Sequence, residues 1–179
     1  EQGAHVIELP AIETASMEDD SNFQDAIKEI MEQKTVRWIV LTSPTGVEMF
    51  FSLLKKEKID LRRFLSDTLR FAVSGTATAA ALERYGIYAD LMPKKFSGKE
   101  LGRAFEMSVD RNEKLYLFRS ELADEELPNY LMDRGFFCKE VPIYRTVSRM
   151  NLEWVESVWD GIEKQEIDYV AFTSASTVR

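Results

Sequence analysis

One cysteine and one histidine stand among the 179 residues. Cys138 has no partner for an internal disulfide, which fits a reducing cytoplasm. Its apolar strand context makes it buried filler rather than a nucleophile. One Cys and one His cannot make a four-ligand zinc site unaided. No acid is placed near His5 to orient it, so it reads as a surface strand histidine and not a catalytic base. Positive charge is also short: 23 Lys and Arg face 31 Asp and Glu, for a net charge of −8. Without a basic stripe there is little to displace counterions from a nucleic acid. No apolar run approaches the 18 residues of a membrane span. No charged n-region followed by an apolar h-region opens the chain. The Gly-Lys phosphate loop, the dinucleotide glycine fingerprint and the Gly-x-Ser-x-Gly elbow are all missing. One peripheral histidine leaves no credible Ser-His-Asp set. Any catalysis must work by shape, hydrogen bonds and a phenol.

What is present is a hydrophobic content of 45%, enough for a real core. Trp38–Leu41 is an apolar run that reads as a strand buried on both faces. Thr42 and Ser43 follow, then Pro44, which suits the first position of a helix. Val47, Phe50, Phe51 and Leu54 repeat at helical spacing. This strand, hydroxyl turn and helix unit leaves free N–H groups that can receive an anion. An echo occurs at Asp168-Tyr-Val-Ala-Phe-Thr-Ser174, whose Ser174 stands 131 positions after Ser43.

Along the chain, residues 3–16 read as an extended segment with Pro10 on an edge. Ser21-Asn-Phe-Gln24 is a capping box opening a helix with Phe23, Ala26, Ile27, Ile30 and Met31 inward. Leu61–Leu65 is a short helical turn. Leu69–Val73 is a second strand running into Ser74-Gly75-Thr76-Ala77-Thr78 and an alanine-rich helix stopped by Gly86. Tyr88–Met92 is a short third strand. Ser97-Gly-Lys-Glu100 is another capping box, Lys114–Phe118 a fourth strand, and a helix from Ser120 to Arg134 is closed by Gly135. Such alternation predicts an α/β fold, a parallel sheet with helices on both faces.

Gly3, Glu8, Pro10, Thr14 and Ser16 recur as Gly135, Glu140, Pro142, Thr146 and Ser148, each 132 positions later. With the Ser43/Ser174 pair in nearly the same frame, the repeat predicts two related lobes. The expected organisation is a crossing strand at 1–16, a complete α/β lobe at 17–134, a return crossing strand at 135–148, and a fragment of a second α/β lobe at 149–179. The two crossing strands should pair as a ribbon.

Small hydroxyls mark the strand ends: Thr42-Ser43, Ser74, Thr76 and Thr78, Ser97, Ser120 and Thr173-Ser174. In an open parallel sheet these lie where ligands bind. Capping explains Ser21 and Ser97 by itself. Three hydroxyls and a glycine in the Ser74–Thr78 turn exceed what a cap requires. Tyr144 is the phenol that stands out, with a core or surface role as its other reading.

The motifs Gly3…Val-Ile-Glu-Leu-Pro10, Thr42-Ser-Pro…Val47, Gly75-Thr-Ala-Thr-Ala79, Val141-Pro-Ile-Tyr-Arg-Thr146 and Phe172-Thr-Ser174…Val178 together resemble the uroporphyrinogen-III synthases over essentially the whole chain. The resemblance implies two flavodoxin-like lobes joined by a two-stranded antiparallel ribbon. It implies a lyase of haem and porphyrin biosynthesis that works without a cofactor. Such an enzyme closes linear hydroxymethylbilane to uroporphyrinogen III with inversion of the last pyrrole and loss of water. Tyr144 would then be the residue closest to a catalytic acid. Ser43, Thr78 and Ser174 match cleft-lining hydroxyls, and Thr76 joins them as a substrate-binding candidate. Lys94, Lys95 and Arg119 are candidate partners for the substrate's eight carboxylates, with a solvated loop as the other reading of the two lysines. The partner is a small tetrapyrrole, not a nucleic acid or a membrane, and fusion to or work beside other pathway enzymes is compatible with this. Set against the family, the second lobe is expected to be incomplete at both ends, and residues 1–179 alone to be a poor catalyst. The competing class is a non-enzymatic two-lobe sensor of sugars. A lone phospho-receiver lacks its clustered acids and lysine.

Overall fold

The computed structural model describes residues 5–8, 12–17, 19–148 and 152–171. Among the described residues the strands are β1 (Ile12–Ser16), β2 (Arg37–Leu41), β3 (Leu69–Val73), β4 (Lys114–Ser120) and β5 (Phe137–Ser148). The helices there are α1 (Ser21–Glu32), α2 (Pro44–Lys56), α3 (Leu61–Phe64), α4 (Thr76–Glu83), α5 (Gly98–Ser108), α6 (Glu126–Asp133) and α7 (Leu152–Glu163). The chain divides into two compact units, one of residues 16–145 and one of residues 1–15 with 146–179.

The strands form one mixed sheet in the order β1-β5-β4-β2-β3. β2 pairs in parallel with β3 on one side and β4 on the other, and β4 pairs in parallel with β5. All five β2 residues are buried, as a strand with helices on both faces requires. On one face Ile39, Leu41, Tyr116 and Phe118 meet Phe23, Ile27 and Ile30 of α1, Val47, Phe50 and Leu54 of α2, and Leu82 of α4. Edge-to-face contacts of Phe50 with Phe23 and Phe118 lock this layer. On the other face Val40, Leu115 and Leu117 meet Leu101 and Phe105 of α5 and Leu127 and Leu131 of α6. The chain leaves β2 for β3 on one side and then crosses to β4 on the other. The connections therefore diverge between β2 and β4, and the crevice of an open parallel sheet lies at the carboxyl ends of that pair.

Several expectations are corrected. The Ser21 capping box does not form: Ser21 donates instead to the Asp19 carboxylate, and the N-cap position belongs to Asp20. Met31 is exposed, because Ile27 and Ile30 fill the stripe of α1 that faces the sheet. Tyr88–Met92 is no strand but a single parallel bridge, Ala72 to Leu91. There the Asp90 carboxylate accepts from the Phe71 N–H and takes the place of a ladder carbonyl. The segment 135–148 does not stand wholly apart from the lobe: Phe137–Tyr144 pairs with β4 as a strand of its sheet. β5 is nonetheless the neighbour of β1, the pairing expected of the two crossing segments.

In the other unit, α7 ends in a turn with Gln165 at φ 59°, and Gly161 gives Ile167 room to pack back on the helix. The strand expected at Tyr169–Phe172 is not formed over residues 166–171, where Tyr169 and Val170 are exposed. Residues 3–4, 9–11 and the Thr173-Ser174 turn lie outside the described residues.

Candidate active site

Ser43 sits between the end of β2 and the start of α2. Its backbone is extended, and its hydroxyl accepts from the Gly46 N–H at 2.9 Å, the capping bond of a helix start. The same oxygen lies 3.0 Å from the Tyr144 phenol oxygen. Since Oγ already accepts from Gly46, it can donate to the phenol or receive from it. When Ser43 donates, the phenolic proton is free to point away from the protein.

Tyr144 reaches Ser43 because β5 carries a bulge. Arg119 pairs with Pro142, but Ser120 pairs with Tyr144, so Ile143 is an extra residue. Up to that point β5 alternates: Val141 and Ile143 face the α1/α2 layer, and Cys138 faces the α5/α6 layer. Strict alternation would send Tyr144 to the α5/α6 side. The bulge resets the phase, and Tyr144 packs against the α1/α2 layer. Pro142, which has no N–H for a ladder, is placed beside this irregularity. The Glu121 N–H donates to the Tyr144 carbonyl at 2.9 Å and fixes the backbone. Gly46 leaves room for the Ser43 hydroxyl: a Cβ there would stand 3.1 Å from Ser43 Oγ, and at ordinary contact distance from the Phe118 carbonyl, 3.6 Å, and Tyr144 Cε1, 3.9 Å. The pair thus spans the ends of β2, β4 and β5, at the crevice between β2 and β4.

Next along the edge, the Ser74 hydroxyl donates to the Thr42 carbonyl at 2.7 Å and ties the β3 turn to the β2 turn. Thr76 is exposed at the first position of α4, whose N-cap, Gly75, has no side chain to close it. Thr78 is 3% exposed and faces inward. Ser97 caps α5 by accepting from the Glu100 N–H, as expected, and the Lys99 N–H there donates to Glu126.

Arg119 is not on this rim. It is 5% exposed, donates to the Asp124 carbonyl and pairs with Glu140 at 3.3 Å. Lys94 and Lys95 are exposed. Burial, with the Glu140 charge, pushes the Cys138 thiol up to about 12, which removes thiolate chemistry near neutral pH. Among the described residues no three His, Cys, Asp or Glu side chains gather as a metal site, and no helix is long and apolar enough to cross a membrane. Phe96 escaped the sequence reading: its Cβ and ring lie over Gly75, at the rim beside Thr76.

The sequence model of uroporphyrinogen-III synthase HemD matches residues 1–179. The porphyrin biosynthesis protein HemD of Ruminiclostridium josui is 32% identical over 98% of this chain, which covers 34% of that protein. A uroporphyrinogen-III synthase of Chlorobaculum parvum is 26% identical over 79% of this chain and is covered over 56% of its own length. The chain therefore spans about a third to a half of these relatives. A mutant uroporphyrinogen III synthase of Thermus thermophilus has a crystal structure of the same fold, with TM-score 0.63 at 18% identity, over 94% of this chain and 63% of that one. These matches lend no support to the sugar-sensor reading. With the family model spanning every residue, the chain belongs to the uroporphyrinogen-III synthase HemD family.

Proposed function

We propose that the carboxyl edge of the 16–145 unit is the acid-bearing wall of a uroporphyrinogen-III synthase, and that Tyr144 is its proton donor. The observation that carries this is the 3.0 Å contact of Ser43 and Tyr144 at the point where the sheet's connections diverge. In the reaction, the C–O bond of the terminal hydroxymethyl group breaks as Tyr144 gives its proton to the leaving hydroxyl, which departs as water. The Ser43 hydroxyl donates to the phenol oxygen as negative charge grows on it. The resulting azafulvene is attacked through the occupied position of the last pyrrole, giving a spiro centre; the bond from that carbon to its original bridging methylene then breaks, and the methylene re-attaches at the unoccupied α-carbon of the same pyrrole. The proton lost from that carbon restores the phenol. Holding the tetrapyrrole in that geometry supplies the remainder of the rate, as a matter of orientation.

Ser43 and the exposed Thr76 are the substrate-binding hydroxyls of this wall. Thr78 is buried, so its part is to stiffen the first turn of α4. Ser174, outside the described residues, keeps its proposed binding role by family match alone. The strand order β3-β2-β4-β5 supports a flavodoxin-like description of the lobe. We place the reaction in the cytoplasm, with a tetrapyrrole as the small-molecule partner. A relative about three times as long as its match to this chain is compatible with fusion to, or work beside, another enzyme of tetrapyrrole synthesis.

The test is to incubate the protein with hydroxymethylbilane, oxidise the product and resolve the two isomers. The substrate cyclises unaided without inversion, so its disappearance is no read-out. For a poor catalyst the expected product is mostly uninverted, with inverted isomer above the enzyme-free background. An isomer ratio identical to that of the enzyme-free control contradicts the proposal.

A further inference from the structure

Phe96 is 61% exposed, in a fold that buries Phe23, Phe50, Phe51, Phe64, Phe71, Phe105, Phe118 and Phe136. It is not a loose side chain. A Cβ on Gly75 would stand 3.0 Å from its Cγ, 3.1 Å from its Cδ1 and 3.3 Å from its Cβ, so the ring rests against the bare backbone of Gly75 and a side chain there would press on it. Gly75 has an extended backbone at φ 179°, which any residue adopts. Its lack of a side chain is therefore explained by the ring and not by conformation. The loop is anchored on both sides: Pro93 is buried, and Ser97 caps α5. An aromatic face is thus held open to solvent at the carboxyl edge, one residue from Thr76, with the exposed Lys94 and Lys95 beside it in sequence. Phe137 is also partly open, at 45%, but Phe96 is the more exposed of the two. Keeping its phenyl ring in water forgoes the burial that stabilises those eight. A ligand that covers it recovers that term.

We propose that Phe96 is a platform on which one pyrrole ring of the substrate lies. This rests on the tetrapyrrole reading above. A pyrrole carrying two carboxylate arms is flat and apolar at its centre and anionic at its rim. Phe96 supplies the apolar contact, and the neighbouring ammonium groups suit the arms. Such a contact holds the ring in place and takes no part in proton transfer, so it governs substrate affinity and the register of the chain on the wall.

The test uses Phe96→Leu, which keeps apolar bulk and loses the flat face, Phe96→Tyr, which keeps the face, and Gly75→Ala, which presses on the ring's seat. For each, KM for hydroxymethylbilane, kcat, isomer ratio and melting temperature are measured. Phe96→Leu and Gly75→Ala should raise KM about threefold to tenfold, the range of an aromatic contact, and shift product toward the uninverted isomer. Phe96→Tyr should stay within twofold of wild type, roughly the noise of such contacts. Wild type that forms inverted isomer, with both disrupting variants unchanged in KM or changed only in melting temperature, overturns the platform and leaves the synthase reading intact. Wild type that forms none overturns the synthase reading, and the platform with it.

Discussion

The Ser43 hydroxyl and the Tyr144 phenol lie 3.0 Å apart although 101 residues separate them in sequence. The same Ser43 oxygen caps α2 through Gly46. One atom therefore joins the stability of a core helix to the orientation of the proposed acid. Ser43→Ala should lower stability by about 0.5–2 kcal/mol, the usual loss for an N-cap, and lower turnover as well. Ser43→Thr, which keeps a hydroxyl at the cap, should preserve most of both. Thermal unfolding and the initial rate of inverted-isomer formation measure the two effects. Unchanged turnover in Ser43→Ala would detach Ser43 from the chemistry.

Gly46→Ala should separate stability from activity. In the first turn of α2, alanine is favoured over glycine by up to about 1 kcal/mol. The added Cβ would stand 3.1 Å from Ser43 Oγ, which presses on the capping hydroxyl, while 3.9 Å to the Tyr144 ring is ordinary contact. The expected result is a melting temperature near wild type, the helix gain offset by the strained cap, with reduced turnover. A variant as active as wild type would show that the pair tolerates displacement.

Glu29 gives a pH prediction away from the site. Its carboxylate receives Lys139 at 2.9 Å and Lys114 at 3.3 Å. Burial raises its pKa, but hydrogen bonds from Lys139, Tyr116 and Lys114 outweigh that and hold it at about 2, against an ordinary 4.5. A folded pKa below the unfolded one contributes stability that is complete above the unfolded value. That contribution is lost as pH falls from 4.5 through about 2. Glu29→Gln should cost roughly 1–2 kcal/mol near neutral pH, allowing for solvent screening. Its stability should fall less steeply than that of wild type across the same acid range. Denaturant unfolding at a series of pH values measures both, and parallel curves would contradict the assignment.

The layered α/β plan was legible because Trp38–Leu41 of β2 is a continuous apolar run and Val47, Phe50, Phe51 and Leu54 repeat at helical spacing; all are buried as that pattern requires. The hydroxyl turns at Thr42-Ser43 and Ser74–Thr78 were legible too, since each follows a strand. The aim of Tyr144 was not. It depends on one extra residue, Ile143, and a bulge leaves no mark in an apolar strand pattern beyond the neighbouring Pro142. Arg119 is a candidate carboxylate partner in the sequence because the resemblance implies a substrate with eight carboxylates. Its partner Glu140 comes from a different strand, and local sequence gives no sign of that pairing. Gly75 was read as part of an anion-binding turn, while its other property, a seat for Phe96, needs the distant loop to be in place.

Tyr144→Phe, assayed at steady state with hydroxymethylbilane, tests the central claim most directly. The substitution keeps the ring among its neighbours and leaves the Gly46 bond to Ser43 intact, so the fold should survive with a loss of about 1 kcal/mol for one hydrogen bond. A proton donor acts in the transition state more than in the bound complex. The account predicts kcat for inverted-isomer formation lower by about 10²–10⁴ with KM little changed. A kcat near wild type with KM raised would make Tyr144 a binding residue and contradict its role as the acid.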